Sequence, residues 1–146
     1  HGIQEGLRHL QQRDPDRFSV RFAYDEGMAH KIMAGCDLFL MPSRSEPCGL
    51  TQMYALRYGT VPVVRTTGGL ADTVEPYDPA KGAGTGFRFD NPDGTGLLWA
   101  VDQALAAFRD RKAWTALMKR GMAREFSWER SAREYVELYR RAMGKV

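Results

Sequence analysis

Between residues 37 and 58 the chain passes from an apolar stretch through a turn rich in proline, serine and glycine into a helix-forming stretch, and that order narrows the possible folds sharply. Asp37-Leu38-Phe39-Leu40-Met41 is apolar throughout its core, as expected of a strand covered on both faces in a parallel sheet. Pro42-Ser43-Arg44-Ser45-Glu46-Pro47-Cys48-Gly49 supplies turn residues, and the following Leu50 to Tyr58 is helical in composition. The first N–H groups of such a helix have no partner within it, and the positive end of its dipole lies there. A phosphate can be held at that point. Glu46 lies in the same turn and repels a phosphate, so the ligand implied has a phosphate at one end and an uncharged, hydroxylated group beside it. A nucleotide sugar has this layout.

The rest of the chain supports an α/β reading. His1 to Gln12 reads as a short helix. Phe18, Val20, Phe22 and Tyr24 alternate with Arg17, Ser19, Arg21 and Ala23, which predicts a strand with one apolar face. Met28, Ile32 and Cys36 form one stripe of a helix from about Gly27 to Gly35. Val61-Pro62-Val63-Val64 reads as the next strand, with Pro62 tolerable only near its start. Alternating strands and helices predict a partial doubly wound, Rossmann-like parallel sheet built of βα units over about 1–96. Residues 75–96 are dominated by loop, with a short strand at Gly86-Phe87-Arg88-Phe89. Three amphipathic helices follow over about 96–143, the last with Ser127 as its predicted N-cap. Ligands of such sheets bind at the carboxyl ends of the strands. Tyr24 and the Ser43 to Gly49 turn are therefore expected to face one crevice.

With 146 residues the chain is long enough for one domain with a real core. Cys36 and Cys48 fit neither a zinc motif nor a disulfide framework, and read as reduced thiols in a cytoplasmic setting. No apolar run approaches membrane-spanning length, and no secretory signal pattern is visible. Residues 109–146 hold eleven Lys and Arg against five Asp and Glu, and residues 1–108 hold ten against thirteen. The terminal basic residues alternate with Glu125, Glu129, Glu134 and Glu137, which is the pattern of a solvated helix face and not of a nucleic-acid or membrane surface.

Pro42-Ser43-Arg44, Glu46-Pro47-Cys48-Gly49-Leu50-Thr51-Gln52, Tyr58-Gly59-Thr60-Val61-Pro62-Val63-Val64, Thr67-Gly68-Gly69-Leu70-Ala71-Asp72-Thr73-Val74 and Phe126-Ser127-Trp128 together resemble the bacterial glycogen synthase and plant starch synthase family. The resemblance implies a retaining glucosyltransferase of two-domain GT-B architecture, using an ADP-glucose donor, an α-1,4-glucan acceptor and no cofactor or metal. It covers nearly all of this chain but only about a third of such an enzyme. The chain is thus expected to be a single, N-terminally truncated nucleotide-sugar-binding domain, 1–146, whose partner is the missing N-terminal domain of the same enzyme, and to be inactive alone.

By the same resemblance Glu46 lies beside the transferred glucose, the backbone amides of Cys48, Gly49, Leu50 and Thr51 hold its hydroxyls and the distal phosphate, and Tyr24 stacks on adenine. Glu46 could instead serve only the helix dipole, and Tyr24 could be a strand-end aromatic. Cys48 has no base partner nearby in sequence and reads as a backbone position. Ser45 departs from the family, which has an aromatic there. Asp14-Pro15-Asp16 looks like a metal-binding acidic pair but stands at the amino end of the expected strand, as a turn. Gly82-Ala83-Gly84-Thr85-Gly86 opens no helix and is no dinucleotide fingerprint. Two other readings remain: a non-catalytic nucleotide- or carbohydrate-binding module, and a GT-B transferase with another sugar donor.

Overall fold

The computed structural model describes residues 2–144. In chain order its elements are α1 (Gly2–Arg13), α2 (Glu26–Gly35), β1 (Leu38–Met41), α3 (Thr51–Tyr58), β2 (Val61–Arg65), α4 (Gly68–Thr73), β3 (Phe87–Phe89), α5 (Gly94–Arg109), α6 (Arg111–Met122) and α7 (Trp128–Ala142). The three strands form a parallel sheet in the order β1-β2-β3. Phe39 stands opposite Pro62, and Val63 opposite Phe87. Pro62 is the second residue of the central strand, and the ladder begins before it with Val61 N–H donating to Asp37 O at 3.0 Å.

Consecutive strand residues face opposite sides of the sheet, and β2 uses both. Val61 and Val63 join Phe87, Phe89, Trp114 and Leu117 in the larger core, beneath α5 and α6. Val64 points the other way onto Leu70 and Val74. Burying each such side chain contributes about 1.5–3 kcal/mol, so a strand apolar on both faces gains on both. Helix α3 closes on Gly59, whose φ of +82° suits the left-handed cap that glycine adopts without strain. The buried Thr60 hydroxyl then donates to the Met33 and Cys36 carbonyls, fixing the end of α2 against the start of β2.

One expectation is corrected, and two hold with a difference. Residues 18–24 form no strand, because no described strand lies beside them to share a hydrogen-bond ladder. Phe18 N–H turns back to Asp14 O at 3.0 Å, and Val20 N–H goes to the Gln11 side chain at 2.6 Å. The stripe of Met28, Ile32 and Cys36 is exposed, and the buried residue of α2 is Met33, which faces Thr60. Ser127 does occupy the N-cap of α7 but makes no capping hydrogen bond with its side chain. The turn after α1 at Asp14 to Arg17 is as expected, and no cluster of potential metal ligands occurs among the described residues.

Candidate functional site

The turn between β1 and α3 lies at the carboxyl end of the sheet, and a close contact from α4 shapes it. Gly69 N–H donates to Glu46 O at 3.0 Å. A side chain at Gly68 would place its Cβ 2.1 Å from Glu46 O, and one at Gly69 would place it 2.0 Å from Cys48 O. Only glycine lets α4 approach this closely. Gly49 has φ of +73°, which also favours glycine. The amides of Cys48, Gly49, Leu50 and Thr51 donate to no other described residue, and the N-cap position Leu50 supplies no side-chain cap. Four donors thus remain available beside the half-buried Glu46, which forms no ion pair among the described residues.

Next to this turn, α2 and α3 enclose a crevice of about 450 Å³ lined by Tyr24, Asp25, His30, Leu50, Thr51 and Tyr54, among others. Three of the expected site residues, Tyr24, Leu50 and Thr51, meet there. Glu46, Cys48 and Gly49 belong to the adjoining turn and do not line the crevice itself. Tyr24 is 97% exposed, so its ring is free to meet a planar ligand. Asp25 accepts from Met28 N–H at 2.9 Å as the N-cap of α2, which anchors the backbone next to Tyr24. Among the described residues the Cys48 thiol bonds to no base; its Sγ donates to Gly49 O at 3.7 Å.

His30, Tyr54 and Arg65 were not among the expected site residues. His30 Nδ1 lies 3.1 Å from the Tyr58 hydroxyl, and its ring centroid lies 5.2 Å from that of Tyr54. The i,i+4 spacing of Tyr54 and Tyr58 puts both rings on one face of α3, a signal present in the sequence but without a named partner. Arg65, at the carboxyl end of β2, donates to Arg44 O at 2.5 Å and to Asp90 O at 3.4 Å. It ties together the chain segments leaving all three strands and places a cation at that edge. A separate, largely apolar cavity of about 390 Å³ lies between Tyr77, Phe87, Trp99 and Ala107, and none of the expected site residues lines it.

A parallel α/β sheet with this crevice at its carboxyl edge is the fold of a GT-B glycosyltransferase domain. It superposes on the catalytic domain of starch synthase IV from Arabidopsis thaliana, solved bound to ADP and acarbose, with a TM-score of 0.81 and 39% identity over 98% of this chain and 30% of that one. Sucrose-phosphate synthase from Thermosynechococcus elongatus matches with a TM-score of 0.68 and 26% identity, over 99% of this chain and 35% of that one. Residues 16–119 match the model of the glycosyl transferases group 1, and the chain belongs to that family. Among curated relatives it is 57% identical to the glycogen synthase of Koribacter versatilis over 136 residues, covering 93% of this chain and 28% of the relative. It is 51% identical to that of Thermotoga maritima over 144 residues, covering 98% and 30%. The chain therefore spans about 30% of the length of the relatives it matches.

Proposed function

We propose that the protein carrying this chain transfers glucose from ADP-glucose to the non-reducing end of an α-1,4-glucan with retention, and that this chain is part of its nucleotide-sugar-binding domain, acting with a further domain that supplies acceptor contacts. The observation that carries this reading is the turn at Glu46, where a carboxylate and a row of unpaired amides stand side by side at the carboxyl edge of the sheet. The high identity to glycogen synthases over nearly the whole chain supports the same assignment.

In this reading Glu46 is the catalytic residue. Glucosyl transfer passes through an oxocarbenium-like state, and a carboxylate beside the growing positive charge stabilises that state more than the neutral ground state. The amides of Cys48, Gly49, Leu50 and Thr51 bind glucose hydroxyls and the distal phosphate. Tyr24 stacks on adenine across the mouth of the crevice. Two exposed free cysteines suit a reducing, cytoplasmic compartment. Among the described residues no helix is long and apolar enough to cross a membrane.

The test is incorporation of labelled glucose into glycogen by the full-length protein, offered ADP-glucose and UDP-glucose in parallel. Transfer from ADP-glucose with the α-configuration kept is the expected result. Transfer only from UDP-glucose removes the donor assignment, and no transfer from either removes the activity.

A further inference from the structure

We infer that Gln52 and Thr73 are positioning residues that turn the backbone amides of Gly49 and Leu50 outward to meet the donor's distal phosphate, an inference that rests on the donor-binding reading above. Gln52 is completely buried although it stands in the first turn of a helix beside a crevice. Its Nε2 donates to Cys48 O at 3.0 Å and to Gly49 O at 2.9 Å, and lies 3.2 Å from Thr73 Oγ1. The Thr73 hydroxyl donates in turn to Gly69 O at 2.5 Å, and Gly69 N–H donates to Glu46 O. Three carbonyls of the turn, those of Glu46, Cys48 and Gly49, are thus drawn inward by groups on α3 and α4 that are bonded to one another.

A trans peptide holds its N–H opposite its C=O. With the Cys48 and Gly49 carbonyls pulled toward Gln52, the N–H groups of Gly49 and Leu50 point away from it, and neither bonds to another described residue. Adjacent outward amides at a helix start form a concave donor set of the kind that anions occupy. The carboxamide is required for this. Its NH₂ supplies two donors to one side, whereas a carboxylate of the same shape supplies none and would confront two carbonyl oxygens. Gly49 belongs to the same device, since a Cβ there would lie 2.5 Å from Gln52 Oε1. That oxygen is buried and has no partner among the described residues. Gln52 therefore bears an unpaired acceptor in the interior, a cost that its donors offset by fixing the turn.

The test compares the full-length protein, isotope-labelled on glycine and leucine, with its Gln52→Met, Thr73→Val and Thr73→Ser variants. The amide resonances of Gly49 and Leu50 are recorded first without ligand and then during titration with ADP, and thermal melting reports folding. Gln52→Met and Thr73→Val should move both resonances and weaken ADP binding about tenfold or more, the range set by a hydrogen bond to a charged group. Thr73→Ser, which keeps the hydroxyl, should retain both. Thr73→Val is isosteric and decides the matter if Gln52→Met does not fold. A role in stability alone would lower the melting temperature and leave the two resonances in place, which overturns the inference. Moved resonances in a protein whose parent form does not bind ADP refute the donor-binding reading and leave the orientation of the amides standing. Unchanged ADP affinity in folded Gln52→Met or Thr73→Val, beside a parent that binds ADP, overturns the inference.

Discussion

Replacing Gly69 by alanine tests whether the approach of α4 sets the shape of the turn at Glu46. The new Cβ would lie 2.0 Å from Cys48 O, 2.5 Å from Cys48 Cα and 2.6 Å from Cys48 C, where ordinary contact begins at 3.4 Å. All three are backbone atoms, so no side chain can swing aside to relieve the overlap. Either α4 withdraws from the sheet or the Glu46 to Gly49 turn moves by more than an ångström. Overpacking of this kind costs about 1–3 kcal/mol of stability, and a displacement of about 1 Å at a reacting group costs about a hundredfold in rate. Gly94→Ala is the control, since nothing lies within 4 Å of its Cβ and the residue begins α5. Its melting temperature should match or slightly exceed the parent's, because alanine has the higher helix propensity. Calorimetry on both variants, with transfer kinetics in the full-length protein, should show Gly69→Ala destabilised and its turnover about a hundredfold lower. A Gly69→Ala variant with the parent's melting temperature and turnover would refute the reasoning.

Glu46→Gln in the full-length protein should lower kcat by at least about a hundredfold while ADP affinity stays within a fewfold, because the lost charge acts on the transition state; near-parental kcat in a labelled-glucose assay removes Glu46 from its role. Tyr24→Ala should weaken ADP by about 1–3 kcal/mol, the worth of an aromatic platform under a base, and Tyr24→Phe should not, as followed by isothermal titration. Thr60→Val should lower the melting temperature by an amount equivalent to about 1–3 kcal/mol, since it removes a buried hydroxyl donor from two carbonyls near the α2–β2 junction. Asp78 is held below its ordinary carboxylate value of 3.8, first by the Lys81 backbone N–H. Its stabilisation is complete above that value and is lost as pH falls through the lower folded-state value. The protection factors of amides in the 75–86 loop, taken against the intrinsic exchange rate at each pH, should therefore fall below about pH 4, and Asp78→Asn should abolish that dependence.

What the sequence revealed and what it concealed divide along the range of the forces involved. The β1-turn-α3 unit was legible because its causes are local: an apolar run, turn residues, then helix formers. The alternation at 18–24 was equally clear, yet alternation describes a face and does not supply the neighbouring strand that would pair with its backbone. In α2 the stripe of three residues spaced four apart identified a helix, but burial went to Met33, whose carbonyl also accepts from the Thr60 hydroxyl. His30 was missed for the same reason, since only the packing of α2 on α3 brings it to Tyr54 and Tyr58.

The pair Gly68-Gly69 shows how a motif can be visible without its cause. The two residues are separated from Glu46 by a helix and a strand, and although Gly68 has φ of +43°, which favours glycine by itself, nothing in the backbone of Gly69 demands glycine in place of alanine. The requirement at Gly69 comes from the Cys48 carbonyl, and the Glu46 carbonyl adds to that at Gly68; each occupies the space where a side chain would stand. The same carbonyls are turned inward by Gly69 N–H and by Gln52, so the backbone that excludes a Cβ from α4 is also the backbone that leaves amides turned away from Gln52. Close packing and the donor row are therefore one constraint: relaxing the approach of α4 also releases the orientation of the turn. A substitution at Gly68 or Gly69 should consequently disturb the turn at Glu46, because the carbonyls of Glu46 and Cys48 fill the space that a new side chain would need.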